Sequence, residues 1–109
     1  VNTVAAIKTD GTLWTWGFNG YGTMGIGNTT YYSSPKQVGA LTNWSSLGST
    51  GRSMFGIKTD GTLWSWGFNN QGQLGLGNTT QRNSPVQVGA LTKWLRIAGG
   101  YNFVLGIQY

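Results

Sequence analysis

The side chains that most enzymes use for catalysis are almost absent from this sequence. Its 109 residues contain no His and no Cys, and the two acidic residues are Asp10 and Asp60. These two carboxylates occupy the same place in two copies of a repeat, so they are not expected to form a close acid–base pair. Ser and Thr are plentiful, but none has a base to activate it. The sequence therefore predicts no catalytic residue, no cofactor and no metal site, and a protein that is not an enzyme.

Two glycine-rich segments look superficially like phosphate-binding loops: GTMGIG at residues 22–27 and GQLGLG at residues 72–77. A dinucleotide-binding loop lies between a strand and a helix. Here β-forming sequence lies on both sides of each segment, and the segment occurs once per repeat. We therefore interpret these glycines as parts of an ordered, sharply folded structural loop.

A long internal repeat organises the chain. The eight residues IKTDGTLW at 7–14 return unchanged at 57–64. When residues 1–50 are aligned with residues 51–100 without a gap, 27 of the 50 pairs are identical. A third copy begins at residue 101, so residues 1–109 are predicted to form one segment of two units and the start of a third.

Each unit is predicted to contain about four short strands and no helix. In the second unit these strands are SMFGIK (53–58), TLWSW (62–66), SPVQVG (84–89) and WLRIAGG (94–100). The first two flank Asp60-Gly61, a hairpin signal in which both residues are expected to have positive φ. Pro85 is expected to open the third strand, where a proline is tolerated.

About four antiparallel strands that recur every 50 residues predict an all-β fold built from β-propeller blades. A β-helix is less favoured, because its coils are shorter and lack tight Asp-Gly hairpins. In TLWSW, Trp64 and Trp66 point to one face and Leu63 to the other. Since blades stack face to face, we expect both indoles to be buried against the neighbouring unit. A sugar-stacking platform is the alternative interpretation of the Trp residues.

The second unit resembles the repeat of the regulator of chromosome condensation family. The similarity rests on DGTLWSWGFNNQGQLGLGN at 60–78, followed by SPVQV at 84–88. The first unit departs from this pattern at Thr23 and Met24. The resemblance implies a β-propeller, commonly of seven blades. The family includes nucleotide exchange factors for small GTPases and chromatin binders, but the shared motifs concern the fold and assign neither activity to residues of this chain.

Two blades cannot close a ring, so residues 1–109 are expected to be part of a longer chain with further blades. The net charge is +5, yet the seven basic residues are scattered singly, so nucleic-acid binding by this segment is not expected. No apolar run approaches the roughly 20 residues that a membrane-spanning helix needs. The low charge and the absence of Cys slightly favour an extracellular, virion or cell-surface location.

The two units differ at a few positions within otherwise identical stretches of sequence. Binding sites tend to lie in loops on a rigid scaffold, and the differences are predicted to fall in loops beside the glycine-rich turn and the proline strand. The candidate partner-binding residues are Tyr21, Tyr31, Tyr32, Gln71, Gln81 and Arg82. Neutral drift in exposed loops would produce the same differences.

The leading interpretation is a non-catalytic propeller scaffold that binds a protein partner through these loops. The alternative is a structural or adhesive protein of a virion or cell surface, with a glycan as its ligand.

Overall fold

The computed structural model describes residues 3–50, 52–90, 94–99 and 104–108, and for residues 95–99 and 104–108 it describes the backbone only. This part of the chain forms three antiparallel sheets and contains no helix. The strands are β1 (Thr3–Ile7), β2 (Leu13–Gly17), β3 (Tyr32–Gln37), β4 (Trp44–Ser49), β5 (Ser53–Lys58), β6 (Leu63–Gly67), β7 (Arg82–Gln87), β8 (Trp94–Gly99) and β9 (Val104–Gln108). The all-β prediction is confirmed.

The sheets are ordered β1-β2-β3, β4-β5-β6-β7 and β8-β9, and we call them the first, second and third blades. Each later blade begins with the strand that ends the preceding repeat unit. Thus Trp44, in the first unit by sequence, belongs to the second blade. Its backbone N–H donates to the Gly11 carbonyl oxygen at 3.1 Å. The Trp94 backbone N–H likewise donates to the Gly61 carbonyl oxygen at 3.1 Å. The chain crossing and these hydrogen bonds join each blade to the hairpin of the blade before it.

The Asp-Gly pairs form the predicted hairpins, but the expectation of positive φ at both residues is wrong. Gly61 has a φ of 82°, whereas no non-glycine residue in the described ranges has positive φ. The Gly61 N–H donates to the Lys58 carbonyl oxygen at 2.9 Å, which closes a turn of three loop residues ending in a left-handed glycine. Asp60 contributes its side chain instead, because its Oδ1 accepts from the Thr62 backbone N–H at 3.0 Å.

The proline strand also differs from the expected one. β7 begins at Arg82, so Pro85 lies inside the strand instead of opening it. β7 is at the edge of its sheet, and its pairing with β6 shifts register between Ser65 and Gly67. A proline without an N–H is tolerated at such an interrupted edge.

The core consists of two hydrophobic clusters on opposite faces of the second blade. One cluster, which also contains first-blade residues, is formed by Leu13, Val38, Trp44, Met54 and Trp66. The other is formed by Phe55, Ile57, Leu63 and Leu74. All six residues of β5 are consequently buried, whereas β1 alternates between partly buried and exposed positions. This alternation follows from the period of two in a strand.

Trp66 links the first and second blades. It is fully buried, and its Nε1–H donates to the Thr23 carbonyl oxygen of the first blade at 2.9 Å. The prediction of burial against the neighbouring unit is therefore confirmed for Trp66. Trp64 packs against the same cluster but is partly exposed. Gly56 lies under the Trp44 ring, where a Cβ would come within 2.5 Å of a ring carbon.

We expect Gly61→Val to lower the free energy of unfolding by more than about 1 kcal/mol, because a β-branched side chain is strongly disfavoured at positive φ. Urea denaturation measures the change. Thr59→Val in the same turn is the control, since Thr59 does not have positive φ. An equal effect of both substitutions would contradict the turn geometry.

Replacement of Trp66 tests the contact between blades. We expect Trp66→Ala to cost about 3–5 kcal/mol, as for other large buried aromatics. Trp16 stands at the same repeat position but is partly exposed, so Trp16→Ala in the 109-residue chain is expected to cost clearly less. Thermal unfolding of the two variants compares them, and similar losses would mean that contact between blades is not the main contribution of Trp66.

Candidate partner-binding site

A buried asparagine holds each glycine-rich loop in shape. Asn19 is fully buried, and its Oδ1 accepts from the Met24 N–H at 2.9 Å. Its Nδ2 donates to the carbonyl oxygens of Asn28 and Thr30, both at 2.9 Å. Asn69 makes the equivalent hydrogen bonds in the second blade. Because the side-chain amide meets the hydrogen-bonding needs of the loop from inside, the loop forms a fixed platform.

The first-blade loop carries a group of aromatic rings at its surface. The Phe18 ring contacts Tyr21 edge-on at a centroid distance of 5.3 Å and Tyr31 at 5.0 Å. Tyr21 also contacts Phe68 of the second blade at 4.7 Å. We call Phe18, Tyr21, Tyr31, Phe68 and the adjacent Arg52 the aromatic cluster. It spans the boundary between the two blades.

Arg52 gives this cluster a positive charge. Its guanidinium carbon lies 5.7 Å from the Tyr21 ring centroid and 5.5 Å from that of Phe68. Arg52 is exposed, and neither Asp10 nor Asp60 forms an ion pair in the part of the chain that the structure describes. The guanidinium is thus held by cation–π contacts and keeps its N–H donors available to a partner.

Tyr31 has the most exposed ring of the aromatic cluster, with 59% of the residue's surface accessible. Tyr21 is half-buried between the two Phe rings. An exposed Tyr and an Arg beside rings that are already ordered match the residue types that dominate binding at protein interfaces. Holding the rings in place before binding also reduces the entropy that a partner must overcome.

The other candidate residues lie outside this cluster. The prediction that all six lie in loops is wrong for Tyr32 and Arg82, which are the first residues of β3 and β7. Tyr32 contacts Lys36, whose Nζ is 4.7 Å from the ring centroid. Both positions join a strand because they pair with Gly17 and Gly67 across the sheet.

Gln71 and Gln81 are exposed in the second blade. Gln81 Nε2 donates to Asn83 Oδ1 at 3.1 Å, and the Asn83 carbonyl oxygen accepts from the Gly27 N–H of the first-blade loop at 2.8 Å. The loop that carries Tyr21 therefore rests on the strand that follows Gln81. A role of these two glutamines and of Arg82 in binding stays a prediction.

Comparison of the two units for differences could not find Phe18, Phe68 and Arg52. Phe18 and Phe68 occupy the same position in the two units, so the comparison assigns them a role in the fold and not in binding. Arg52 lies in the first six residues of its unit, where no residue is identical between the two copies, so a difference there carries no signal. The sequence held a signal for one contact only, because Phe18 and Tyr21 lie three residues apart in a turn-forming segment where their rings can meet.

The carboxylates are engaged in turn formation. Thr62 Oγ1–H donates to Asp60 Oδ1 at 2.6 Å, and this hydrogen bond, with that of the Thr62 N–H, lowers the pKa of Asp60. Thr12 lowers the pKa of Asp10 in the same way. Within the described ranges no group of His, Cys, Asp or Glu side chains forms a metal site, and no helix is suited to crossing a bilayer.

Comparison with known proteins identifies the repeat. A model of the Regulator of chromosome condensation (RCC1) repeat matches residues 10–51 and 60–107. A search of curated proteins finds no match to the sequence.

Solved structures share the fold. Human WBSCR16 is 22% identical, with a TM-score of 0.77 over 89% of this chain and 26% of that one. Prp20p from Saccharomyces cerevisiae, studied with its binding to Gsp1p and histones, is 17% identical, with a TM-score of 0.83 over 99% of this chain and 30% of that one. Yeast RCC1 (Prp20) bound to Kap60 is 19% identical, with a TM-score of 0.84 over 98% and 28%.

The chain spans less than a third of the length of each of these structures. The family model matches most of the chain, and the antiparallel sheets match the blades of these propellers. The chain therefore belongs to the RCC1 repeat family and has the fold of its β-propeller blades.

Proposed function

We propose that this chain is a non-catalytic β-propeller scaffold that binds a protein partner through the aromatic cluster. The observation that carries the proposal is the exposed Tyr31 in one cluster with Arg52, whose guanidinium lies over the contacting rings of Tyr21 and Phe68. These residues lie on two blades, so a partner bound there would contact both. Prp20p, which binds Gsp1p and histones, provides a precedent for protein partners on this fold.

The geometry favours a protein over a glycan as the ligand. A sugar-stacking platform needs indole faces open to solvent, yet Trp66 is fully buried and Trp44 is 4% exposed. The other indoles are partly buried, and none reaches the exposure of Tyr31. The open aromatic surface is instead supplied by tyrosine beside an arginine, a pair of residue types enriched in protein interfaces.

Substitution of Tyr31 and Arg52 tests the proposed site. Capture of partners from an extract of the source cells, quantified by mass spectrometry, identifies a binding protein whose affinity is then measured in purified form. We expect Tyr31→Ala and Arg52→Ala each to weaken binding about tenfold or more, as at other interface hot spots.

The matched control is Thr80→Ala, because Thr80 is exposed in the second-blade loop and is neither a candidate partner-binding residue nor a member of the aromatic cluster. We expect it to leave the affinity within about twofold, which is well below the hot-spot threshold. Thermal unfolding of all three variants checks that the fold is retained. Binding that is insensitive to Tyr31 and Arg52 would reject the aromatic cluster as the site.

A further inference from the structure

A groove of about 370 Å³ lies between the first and second blades. Its walls are mainly apolar and include Val38, Leu41, Trp44, Trp64 and Pro85. Leu41 is 48% exposed, so part of this apolar surface is open to solvent. A groove of this size accommodates a few side chains.

Lys58 places one positive charge in this apolar lining. It ends β5, is 6% exposed, and its Nζ lies 3.6 Å from the Trp64 ring centroid and 5.0 Å from that of Trp44. Burial lowers the pKa of Lys58, and the nearby Asp60 opposes this shift. The stem of the side chain thus packs among indoles while the ammonium borders the groove.

The ammonium of Lys58 has no carboxylate partner within the described ranges. Asp60 Oδ1 accepts two hydrogen bonds from Thr62, and neither Asp of the chain forms an ion pair with Lys58. The Trp44 indole N–H is also buried without an acceptor in this part of the chain. A partly desolvated cation whose only nearby carboxylate is not in direct contact with it favours an added anion more strongly than an exposed lysine does.

The first blade supplies part of the environment of Lys58. Lys8 stands at the same repeat position, but it is exposed and its Nζ is 4.9 Å from the Trp14 ring centroid. The groove at Lys58 depends on Val38 and Leu41, which the first blade contributes.

We propose that this groove binds an acidic segment of a partner protein, with a carboxylate on Lys58 and a neighbouring apolar side chain against Leu41 and Pro85. The single cation and apolar walls suit such a segment. A nucleic acid would need several cations, and a neutral glycan would leave the ammonium unpaired.

This site is separate from the aromatic cluster and does not rest on the function proposed above. Arg52 precedes β5 and Lys58 ends it, so the two sites lie at opposite ends of this strand, roughly 20 Å apart at the rise of an extended chain. Failure of one site therefore leaves the other testable.

Peptide binding to the purified 109-residue chain tests the proposal. The probe is acetyl-Leu-Glu-Phe-amide, compared with acetyl-Leu-Gln-Phe-amide and with phenylacetate, and binding is followed by the tryptophan fluorescence of the protein. We expect the Glu peptide to bind about tenfold more tightly than the Gln peptide, because the carboxylate forms a charge-assisted hydrogen bond.

Two substitutions and one control locate the binding. Lys58→Met retains the stem over Trp64 and removes the charge, so it should abolish the preference for Glu, whereas Leu41→Ser should weaken both peptides. Lys36→Met is the control, because Lys36 also stacks on an aromatic ring and alternates with the groove residue Gln37 along β3. It should leave affinity unchanged.

Several results would overturn the proposal. These are the absence of peptide binding, an equal affinity for the Glu and Gln peptides, and an equal loss in Lys58→Met and Lys36→Met. Phenylacetate that binds as tightly as the Glu peptide would show that the groove takes a small carboxylate and not a peptide segment.

Discussion

The fold depends on the contact between successive blades, where the Trp66 indole fills the space between two sheets. A strand with large side chains on both faces cannot expose either face to water without loss of hydrophobic free energy. β5 and β6 therefore need a neighbour on each side, and the first blade supplies one of them. The hydrogen bond from Trp66 Nε1 to the Thr23 carbonyl oxygen fixes the position of the first-blade loop. That loop in turn carries three of the four rings of the aromatic cluster, those of Phe18, Tyr21 and Tyr31.

Buried asparagines make the same architecture tolerant of sequence differences at its surface. Asn19 and Asn69 bond to the backbone of their loops, and backbone groups do not depend on which side chains the loop presents. The second unit therefore presents Gln71 where the first presents Tyr21 without a change in the hydrogen bonds that the buried asparagine makes. The repeat fixes the backbone and leaves the outward side chains free to differ.

The sequence predicted the strands, the hairpins and the burial of Trp66, because these follow from alternation and turn chemistry within a few residues. It did not predict where each blade begins. The strand-forming pattern of β4 does not indicate whether it joins the sheet of the preceding strands or that of the following ones. The structure shows that it pairs with β5. Likewise, an Asp-Gly pair indicates a hairpin but not its class, since the hydrogen bonds of Asp60 with Thr62 are compatible with negative φ. The ring of further blades stays a prediction.

The two candidate sites could not be predicted from the sequence, because they depend on contacts between blades. Lys58 lies in the repeated segment IKTDGTLW, and nothing in that segment indicates that the lysine is buried beside an apolar groove. Val38 and Leu41 of the first blade line that groove, so the environment of Lys58 is a property of the assembled sheets and not of the local sequence. The same holds for Phe68, which becomes part of a surface cluster because Tyr21 reaches it from the first blade. In a propeller built from near-identical units, distinct surfaces thus arise at the boundaries between blades, where a small difference in one unit alters the environment of an unchanged residue in the next.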